Sequence, residues 1–174
     1  MLDGVVECLV ERKKTGKVYV IRGLVFFVDS ILLALSVFIF LFLTAFSATI
    51  FIFAAIGALI TWLAIRSTNI EYEYSFFENE LTIDRIVNKS KRKRLKSFDL
   101  SKMELMAPAG SKRLGGNPDN NRRKLNFSAL DENYINYVIV VLDDMGTETE
   151  LTFTPNEKLI DVIKRKYPRK VYGD

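Results

Sequence analysis

The chain has 174 residues, of which 49% are apolar and 26% are charged, and its formal net charge is +4. Its single cysteine, Cys8, excludes an intramolecular disulfide, and the absence of histidine removes the commonest metal ligand and general base. Because apolar and charged residues are both abundant, they must be segregated along the chain. This composition indicates an integral membrane protein with room for one small additional domain.

Residues 1–17 are predicted to form an amphipathic N-terminal helix. Apolar residues recur there at spacings of three and four, which is the period of one helix face: Leu2, Val5, Val6, Leu9 and Val10. Basic residues follow at Arg12, Lys13, Lys14 and Lys17. Such a helix can lie in the lipid headgroup plane or pack on a neighbouring domain, and the sequence favours neither. Cys8 lies near the apolar face, where a buried thiol is commoner than a palmitoylated one.

Residues 18–66 are predicted to form a two-helix transmembrane hairpin. Leu24 to Ile65 is a nearly continuous apolar run of 42 residues with one formal charge, about twice the length that one membrane crossing needs. The first span is expected near Tyr19–Leu43 and the second near Ala48–Ile65, with the turn at Thr44–Ser47. Cations flank both outer ends and the turn has none, so the positive-inside rule predicts a multi-pass protein of the cell membrane with both termini in the cytoplasm.

Small residues on one face of the second span are predicted to pack against the first span: Ala54, Gly57, Ala58 and Thr61. Ser30 and Ala34 are candidate counterparts. A homo-oligomer contact is the alternative, but a covalently tethered neighbour has a high effective concentration and is favoured. Asp29 is the one ionisable group inside the spans, and we expect it to pair with Arg22 or to accept a hydrogen bond from Thr61.

Residues 70–172 are predicted to form a cytosolic, mainly β domain. Alternation of apolar and polar residues predicts strands at Ile70–Phe76, Leu81–Val87, Lys91–Phe98, Met103–Met106, Leu125–Ala129, Tyr134–Leu142 and Thr147–Phe153. The segment Ala107–Lys124 contains too many turn-forming residues for regular structure. Thr154 as N-cap, Pro155 and Glu157 predict the start of a C-terminal helix that stops at Pro168. Six or seven antiparallel strands closed by one helix is the element order of a pleckstrin-homology-like (PH-like) barrel.

Several of these segments resemble the bacterial PH-like domains that follow a two-span hairpin: Tyr72–Phe76, Leu81–Arg85, Lys91–Lys96 and Phe98–Met103. The whole chain is also similar to a family of short bacterial membrane proteins known only as a domain of unknown function. The resemblance implies a fold and a membrane setting, and it implies no catalytic activity. Phosphoinositide-binding PH domains carry basic residues around the first hairpin, whereas this chain has Glu78 and Glu80 there.

The chain carries no recognisable motif for nucleotide binding, metal binding or nucleophilic catalysis. Asp143 and Asp144 are adjacent acids in a tight turn, where such pairs are usually turn-forming residues. We therefore predict a non-enzyme without cofactor or metal that serves as a binding or scaffolding module for an unidentified protein partner. The alternatives are a membrane-anchored nucleic-acid-binding protein, a small regulatory subunit of a membrane complex, and an enzyme with an unrecognised site.

The strongest charge signal lies between Arg85 and Lys124, where thirteen basic residues face three acids, a net charge of +10. Its densest part is predicted to bind anionic lipid of the inner leaflet: Lys89, Lys91, Arg92, Lys93, Arg94 and Lys96. The alternative is a solvated hairpin face. Nucleic acid is disfavoured because the cluster lacks the interleaved aromatic residues of single-strand binders. Only about four residues separate Arg66 from the first predicted strand, which keeps the domain close to the bilayer.

Overall fold

The computed structural model describes residues 5–42, 47–115, 122–142 and 146–173. The chain divides into two compact units. The β domain consists of Met1–Lys13 together with Ile70–Asp174, and the helical unit consists of Lys14–Asn69. The helical unit is therefore an insertion within the sequence of the β domain, whereas the sequence patterns predict a β domain that begins only after the helices.

The helical unit contains helices α1 (Gly16–Phe42) and α2 (Ser47–Ser67). Within α1, Val18–Leu41 is long and apolar enough to cross a membrane, and only 6% of its most apolar part is buried, which is unlike the core helix of a globular domain. The described apolar segment of α2, Ile52–Arg66, is shorter. Among the described residues, α1 is the one helix that is long and apolar enough to cross a membrane. The predicted turn at Thr44–Ser47 lies outside the described residues except for Ser47, where α2 begins.

The N-terminal segment is a strand, β1 (Val6–Glu11), so the prediction of an amphipathic helix there is wrong. Val6, Cys8 and Val10 are buried and alternate with exposed residues. β1 pairs antiparallel with β2 (Ile70–Phe77), with Val6 opposite Phe76 at one end and Glu11 opposite Glu71 at the other. The apolar residues of this segment fit both a helical and a strand period, and the free edge of β2 selects the strand because it supplies backbone partners and a core to pack on.

Sheet A has the order β1-β2-β3-β4 and is antiparallel throughout. Its other strands are β3 (Glu80–Val87) and β4 (Lys91–Asp99). The β3–β4 register shifts once, because Ile83 lies opposite Lys96 and Asp84 lies opposite Arg94. Leu95 is therefore the extra residue of a β-bulge, and it packs against the core.

Sheet B has the order β5-β7-β8-β6. Its strands are β5 (Met103–Pro108), β6 (Arg123–Asn126), β7 (Tyr137–Leu142) and β8 (Glu148–Phe153). β6 pairs parallel with β8, which corrects the prediction of a purely antiparallel meander. The segment predicted to be irregular, Ala107–Lys124, is shortened at both ends, since β5 extends to Pro108 and β6 begins at Arg123.

The C-terminal helix α3 spans Glu157–Lys166. Its N-cap is Asn156, whose side-chain oxygen accepts a hydrogen bond from the Leu159 N–H at 2.9 Å, so the helix starts later than the predicted cap at Thr154. Leu159 and Ile163 of α3 are fully buried in a core shared with both sheets. At its C-terminal end, the Lys166 ammonium group donates a hydrogen bond to the Glu78 carbonyl in the β2–β3 turn.

The core of the β domain is centred on Tyr74, which is fully buried. Its hydroxyl donates to the Phe127 carbonyl at 2.7 Å, and its ring packs edge-on against Phe153 at 5.4 Å between centroids. Cys8 belongs to the same core and is 5% exposed. Burial raises the pKa of the Cys8 thiol, so the thiol stays protonated and inaccessible in the folded domain.

Candidate functional site

The basic residues of β4 are divided between the two faces of sheet A. Residues directly opposite each other on paired strands share a face, and successive residues alternate. Arg92 and Arg94 lie opposite Ile86 and Asp84. They are therefore on the outer face of sheet A, which is the face turned away from the core. The intervening Lys93 lies opposite Arg85, which is on the same face as the buried core residues of β3. The predicted lipid-binding cluster is therefore two groups of cations with different surroundings.

The outer-face arginines are neutralised by acids. Arg92 Nε lies 2.6 Å from Asp84 Oδ2 and Arg92 Nη2 lies 3.0 Å from Glu73 Oε1, while Arg94 Nε is 3.6 Å from Asp84 Oδ1. Asp84 is 5% exposed and Glu73 is 8% exposed, so the arginines cover both carboxylates. The hydrogen bond that Arg92 donates to the Asp84 carboxylate raises the pKa of Arg92 above its ordinary value. These two arginines stabilise the sheet and contribute little net charge to its surface.

Four cations near the β3–β4 turn have no ion-pair partner in the described part of the chain. Arg85, Lys91 and Lys93 share the inner-face parity of β3 and β4, and Lys89 lies in the turn between these strands. None of the four lies within ion-pair distance of a carboxylate among the residues that the structure describes. Arg85 Nε is buried and has no hydrogen-bond partner among the described residues. We call Arg85, Lys89, Lys91 and Lys93 the unpaired basic set.

Tyr72 anchors one further cation beside this set. Tyr72 lies directly opposite Arg85, and its hydroxyl accepts a hydrogen bond from Arg12 Nη1 at 2.8 Å. The Arg12 guanidinium carbon also lies 5.7 Å from the centre of the Tyr72 ring, within cation–π distance. Lys96, the remaining member of the predicted cluster, is half-buried, and its ammonium group lies 5.4 Å from the Phe98 ring centre.

The unpaired basic set lies at one particular end of sheet A. Lys91 pairs with Val87, Val87 pairs with Ile70, and the Ile70 carbonyl accepts a hydrogen bond from the Arg12 N–H at 2.9 Å. At this end β1 finishes and β2 begins, so both connections to the helical unit leave from it, and we call it the tethered end. These connections are short, since residues 12–15 precede α1 and residues 68–69 follow α2.

The turn that presents Lys89 is tight. Asn88 and Lys89 both adopt left-handed conformations, with φ values of 51° and 54°, and the Ser90 N–H donates to the Val87 carbonyl at 3.2 Å. Two consecutive residues with positive φ match the strand twist of a β-hairpin. Asparagine tolerates this conformation well, whereas lysine does so at a cost. The turn holds Lys89 exposed at the tip of the β3–β4 hairpin.

In the helical unit, Asp29 lies against the small-residue face of α2. Thr61 Oγ1 donates to Asp29 Oδ2 at 3.3 Å, so Thr61 is the partner of Asp29. Arg22, the other partner considered, donates to the Ile65 carbonyl at 3.1 Å and to the Thr68 hydroxyl. Asp29, Gly57 and Thr61 line a groove of about 140 Å³ together with apolar residues of both helices.

The four residues of the predicted packing face of α2 differ in their burial. Gly57 and Thr61 are buried, Ala54 is half-buried and Ala58 is exposed. The expected counterparts Ser30 and Ala34 on α1 are exposed, and the Ser30 hydroxyl donates to its own helix at the Phe26 carbonyl. The residues of α1 that border the groove with Asp29 are Leu24, Val25, Val28 and Leu32. On α1 this groove is therefore lined by Asp29 and apolar residues, and Ser36, a small residue of the same helix, is also buried.

Among the described residues, no group of three or more cysteine, histidine or acidic side chains could hold a metal ion. Asp143 and Asp144 lie outside the described residues. Arg12 and Arg85 did not belong to the cluster predicted from the sequence. Arg85 is two residues from both Ile83 and Val87, and residues two apart on a strand share a face. This spacing could have placed Arg85 on the face that carries the core.

A family model described as a bacterial PH-like domain (DUF6106) matches residues 2–173. The matched range includes β1, both helices of the helical unit and the whole of the β domain that follows. No curated protein and no solved structure matches the chain.

Proposed function

Because the chain belongs to the bacterial PH-like domain family DUF6106, we propose that it is a membrane-anchored binding or scaffolding module whose β domain contacts anionic lipid at the cytoplasmic surface. The two four-stranded sheets and the C-terminal helix agree with the family fold. The proposal assigns the chain no catalytic activity. The observation that carries it is the unpaired basic set at the tethered end of sheet A.

The topology of the β domain supports a two-span anchor. β1 precedes the helices and β2 follows them, yet the two strands are hydrogen-bonded neighbours in one sheet. They must therefore lie in the same compartment, which requires an even number of membrane crossings between them. If α1 crosses the bilayer, α2 must return. The 21 residues of α2, at 1.5 Å per residue, extend about 31 Å, which is close to the thickness of the hydrocarbon core.

The charge distribution supports a cytoplasmic β domain. Basic residues flank both outer helix ends at Lys13, Lys14, Lys17 and Arg66, as the positive-inside rule expects of cytoplasmic flanks. The inner leaflet is anionic, and each lysine or arginine near its surface contributes about 1 kcal/mol of attraction. In this proposal the unpaired basic set contacts the anionic surface that it can bind, while Arg92 and Arg94 are already neutralised.

The test uses the full-length protein in nanodiscs made of phosphatidylcholine alone or of phosphatidylcholine with phosphatidylglycerol. Lysines are modified with an amine reagent and counted by mass spectrometry. We expect Lys89, Lys91 and Lys93 to be protected in the phosphatidylglycerol discs only. The protection should decrease with salt, since the Debye length falls from about 8 Å at 0.15 M to about 3 Å at 1 M.

Lys158 and Lys164 of α3 are exposed and serve as internal controls. They should be modified equally in both lipids, because α3 is bonded through Lys166 to the β2–β3 turn, at the opposite end of sheet A from the tethered end. Equal modification of Lys89, Lys91 and Lys93 in both lipids would overturn the proposed lipid contact. Protection by an added oligonucleotide in discs without anionic lipid would favour the nucleic-acid alternative instead.

A further inference from the structure

The β domain exposes two neighbouring large apolar side chains in the loop between β6 and β7. Tyr134 is 53% exposed and Ile135 is 69% exposed. Ile135 is the most exposed large hydrophobic residue of the β domain within the ranges that the structure describes. Solvating these two side chains is unfavourable, and a loop tip does not need them for the core.

The loop that carries them is firmly held. The Asn133 N–H donates to Asp131 Oδ1 at 3.2 Å, and the Tyr134 N–H donates to the Asp131 carbonyl at 3.3 Å. After the exposed pair, the backbone carbonyl of Asn136 accepts a hydrogen bond from the Ala109 N–H. The side-chain oxygen of Asn136 accepts a second hydrogen bond from the Thr154 hydroxyl at 2.7 Å. Tyr134 and Ile135 are thus displayed by a structured loop.

The same loop is fastened to the residue at which the chain leaves β1. The Lys13 N–H donates to the Ala129 carbonyl at 2.7 Å, and the Lys13 ammonium group pairs with Asp131 at 3.2 Å. The apolar segment of α1 begins at Val18, so the five residues from Lys13 to Val18 extend at most about 18 Å. The loop is therefore bonded to a point within reach of the headgroup layer.

We propose that Tyr134 and Ile135 form an interfacial anchor that inserts into the headgroup layer of the bilayer holding α1. This inference rests on the proposed function, because it takes α1 to be in the membrane. Tyrosine is enriched at the membrane interface, where its ring is desolvated and its hydroxyl stays hydrated, and isoleucine adds apolar area below it. The unpaired basic set at the tethered end supplies the electrostatic attraction that complements such an anchor.

The acids near the pair do not oppose this placement strongly. The Asn133 N–H and the Lys13 ammonium group lower the pKa of Asp131, so this carboxylate is ionised but paired. Glu132 is exposed and is the one acid of the loop without such a partner in the described chain. Glu11 and Glu71, which lie opposite each other at the tethered end, raise the number of such acids to three, against the four cations of the unpaired basic set and Arg12.

The test places a polarity-sensitive fluorophore on cysteine in Ile135→Cys and, as a matched control, in Phe77→Cys. Phe77 is also an exposed apolar residue, but it lies at the opposite end of β2 from the tethered end. The full-length variants are reconstituted in nanodiscs with or without lipids that carry a nitroxide quencher near the headgroup. Wild-type protein treated in the same way corrects for any labelling of Cys8.

We expect lipid-borne quenching to be at least about twofold stronger at position 135 than at position 77, because an interfacial anchor is buried about 5–10 Å into the headgroup and acyl boundary, close to the quencher. Equal quenching at the two positions would overturn the anchor. Lysine protection in phosphatidylglycerol discs with an unquenched fluorophore at position 135 would refute the anchor and leave the proposed function standing. Quenching at 135 without lysine protection would refute the anionic contact and support the anchor.

Discussion

The Asp29 carboxylate occupies the space that a side chain on Gly57 would need. A Cβ atom added to Gly57 would lie 2.1 Å from Asp29 Oδ1 and 3.3 Å from Asp29 Cγ. Gly57 is therefore a place where α1 and α2 approach closely, and the absence of a side chain there permits the hydrogen bond between Thr61 and Asp29. Small residues at helix contacts in membranes commonly serve this purpose.

Gly57→Ala should weaken the packing of α1 on α2. Asp29 must rotate to make room and loses its bond to Thr61, which we expect to cost about 1 kcal/mol, at the lower end of overpacking penalties because the Asp29 side chain can move. The free energy of unfolding in detergent micelles is the measurement. Gly23→Ala in α1 is the matched control, since a Cβ there meets no atom within 4 Å.

The double variant Asp29→Ala with Gly57→Ala completes this experiment. Removing the carboxylate should make the Gly57 substitution nearly neutral, because the clash has gone. Equal destabilisation by Gly57→Ala in the presence and in the absence of Asp29 would show that the two residues are not coupled.

A β domain without its helices should fold only if β1 is retained. Because the Arg12 N–H is hydrogen-bonded to the Ile70 carbonyl, residues 1–13 can be joined to residues 70–174 by a short Gly-Ser linker. We expect this chain to be folded and monomeric in solution. Residues 70–174 alone lack the buried side chains of Val6, Cys8 and Val10. Burial of each of the two valines stabilises the fold by about 1.5–3 kcal/mol. The shorter chain also exposes the edge of β2.

Circular dichroism and gel filtration of the two chains measure this difference. A well-folded, monomeric chain of residues 70–174 would contradict the assignment of β1 to the β domain. A folded linked chain would also give vesicle-binding experiments a starting material that contains the complete sheet A.

Arg92→Gln should destabilise the β domain more than Lys91→Gln. The first change leaves Asp84 and Glu73 as neighbouring, nearly buried carboxylates, of which Asp84 keeps Arg94 at 3.6 Å and Glu73 loses its ion-pair partner. We expect a loss of about 1–2 kcal/mol, reduced from the value for a fully buried pair because the Arg92 side chain is 52% exposed. Lys91→Gln removes an unpaired surface charge and should change stability by less than about 0.5 kcal/mol.

Thermal unfolding of the full-length variants in the same detergent compares them. Adding Asp84→Asn to Arg92→Gln should restore part of the lost stability, since it removes one of the two carboxylates that Arg92 had neutralised. If Lys91→Gln is as damaging as Arg92→Gln, the division of the β4 cations between two faces is incorrect.

Tyr74 should make the folded domain sensitive to alkaline pH. Burial raises the pKa of Tyr74 above the ordinary value near 10. Its contribution to stability is complete below pH 10. As the pH rises further, the unfolded chain loses the Tyr74 proton while the folded chain keeps it, so the free energy of unfolding falls. Unfolding free energies measured between pH 8 and pH 11 test this direction.

Tyr74→Phe should flatten this alkaline decline and should cost about 1 kcal/mol at neutral pH, because the hydrogen bond to the Phe127 carbonyl is lost. Tyr134→Phe is the control, since Tyr134 is exposed and should leave the decline as in the wild type. An identical pH profile for Tyr74→Phe and the wild type would refute the role of Tyr74.

Local patterns in the sequence were sufficient for much of the architecture. The apolar run predicts α1 and α2, and the alternation of apolar residues predicts β2, β3, β4 and β8 to within about a residue, because a regular period in one segment reflects the face that this segment buries. The PH-like fold that these elements resembled is confirmed by the family match.

The tertiary structure decided everything that depends on which strand lies beside which. Val6–Glu11 became a strand because β2 offers a free edge, and β6 runs parallel to β8, which no local pattern encodes. The run of basic residues in β4 looked uniform in the sequence. The register against β3 places Arg92 and Arg94 beside Asp84 and leaves Lys91 and Lys93 unpaired. A charge in a sequence has no partner until strand pairing brings a second charge within a few ångströms, and that pairing is a property of the whole sheet.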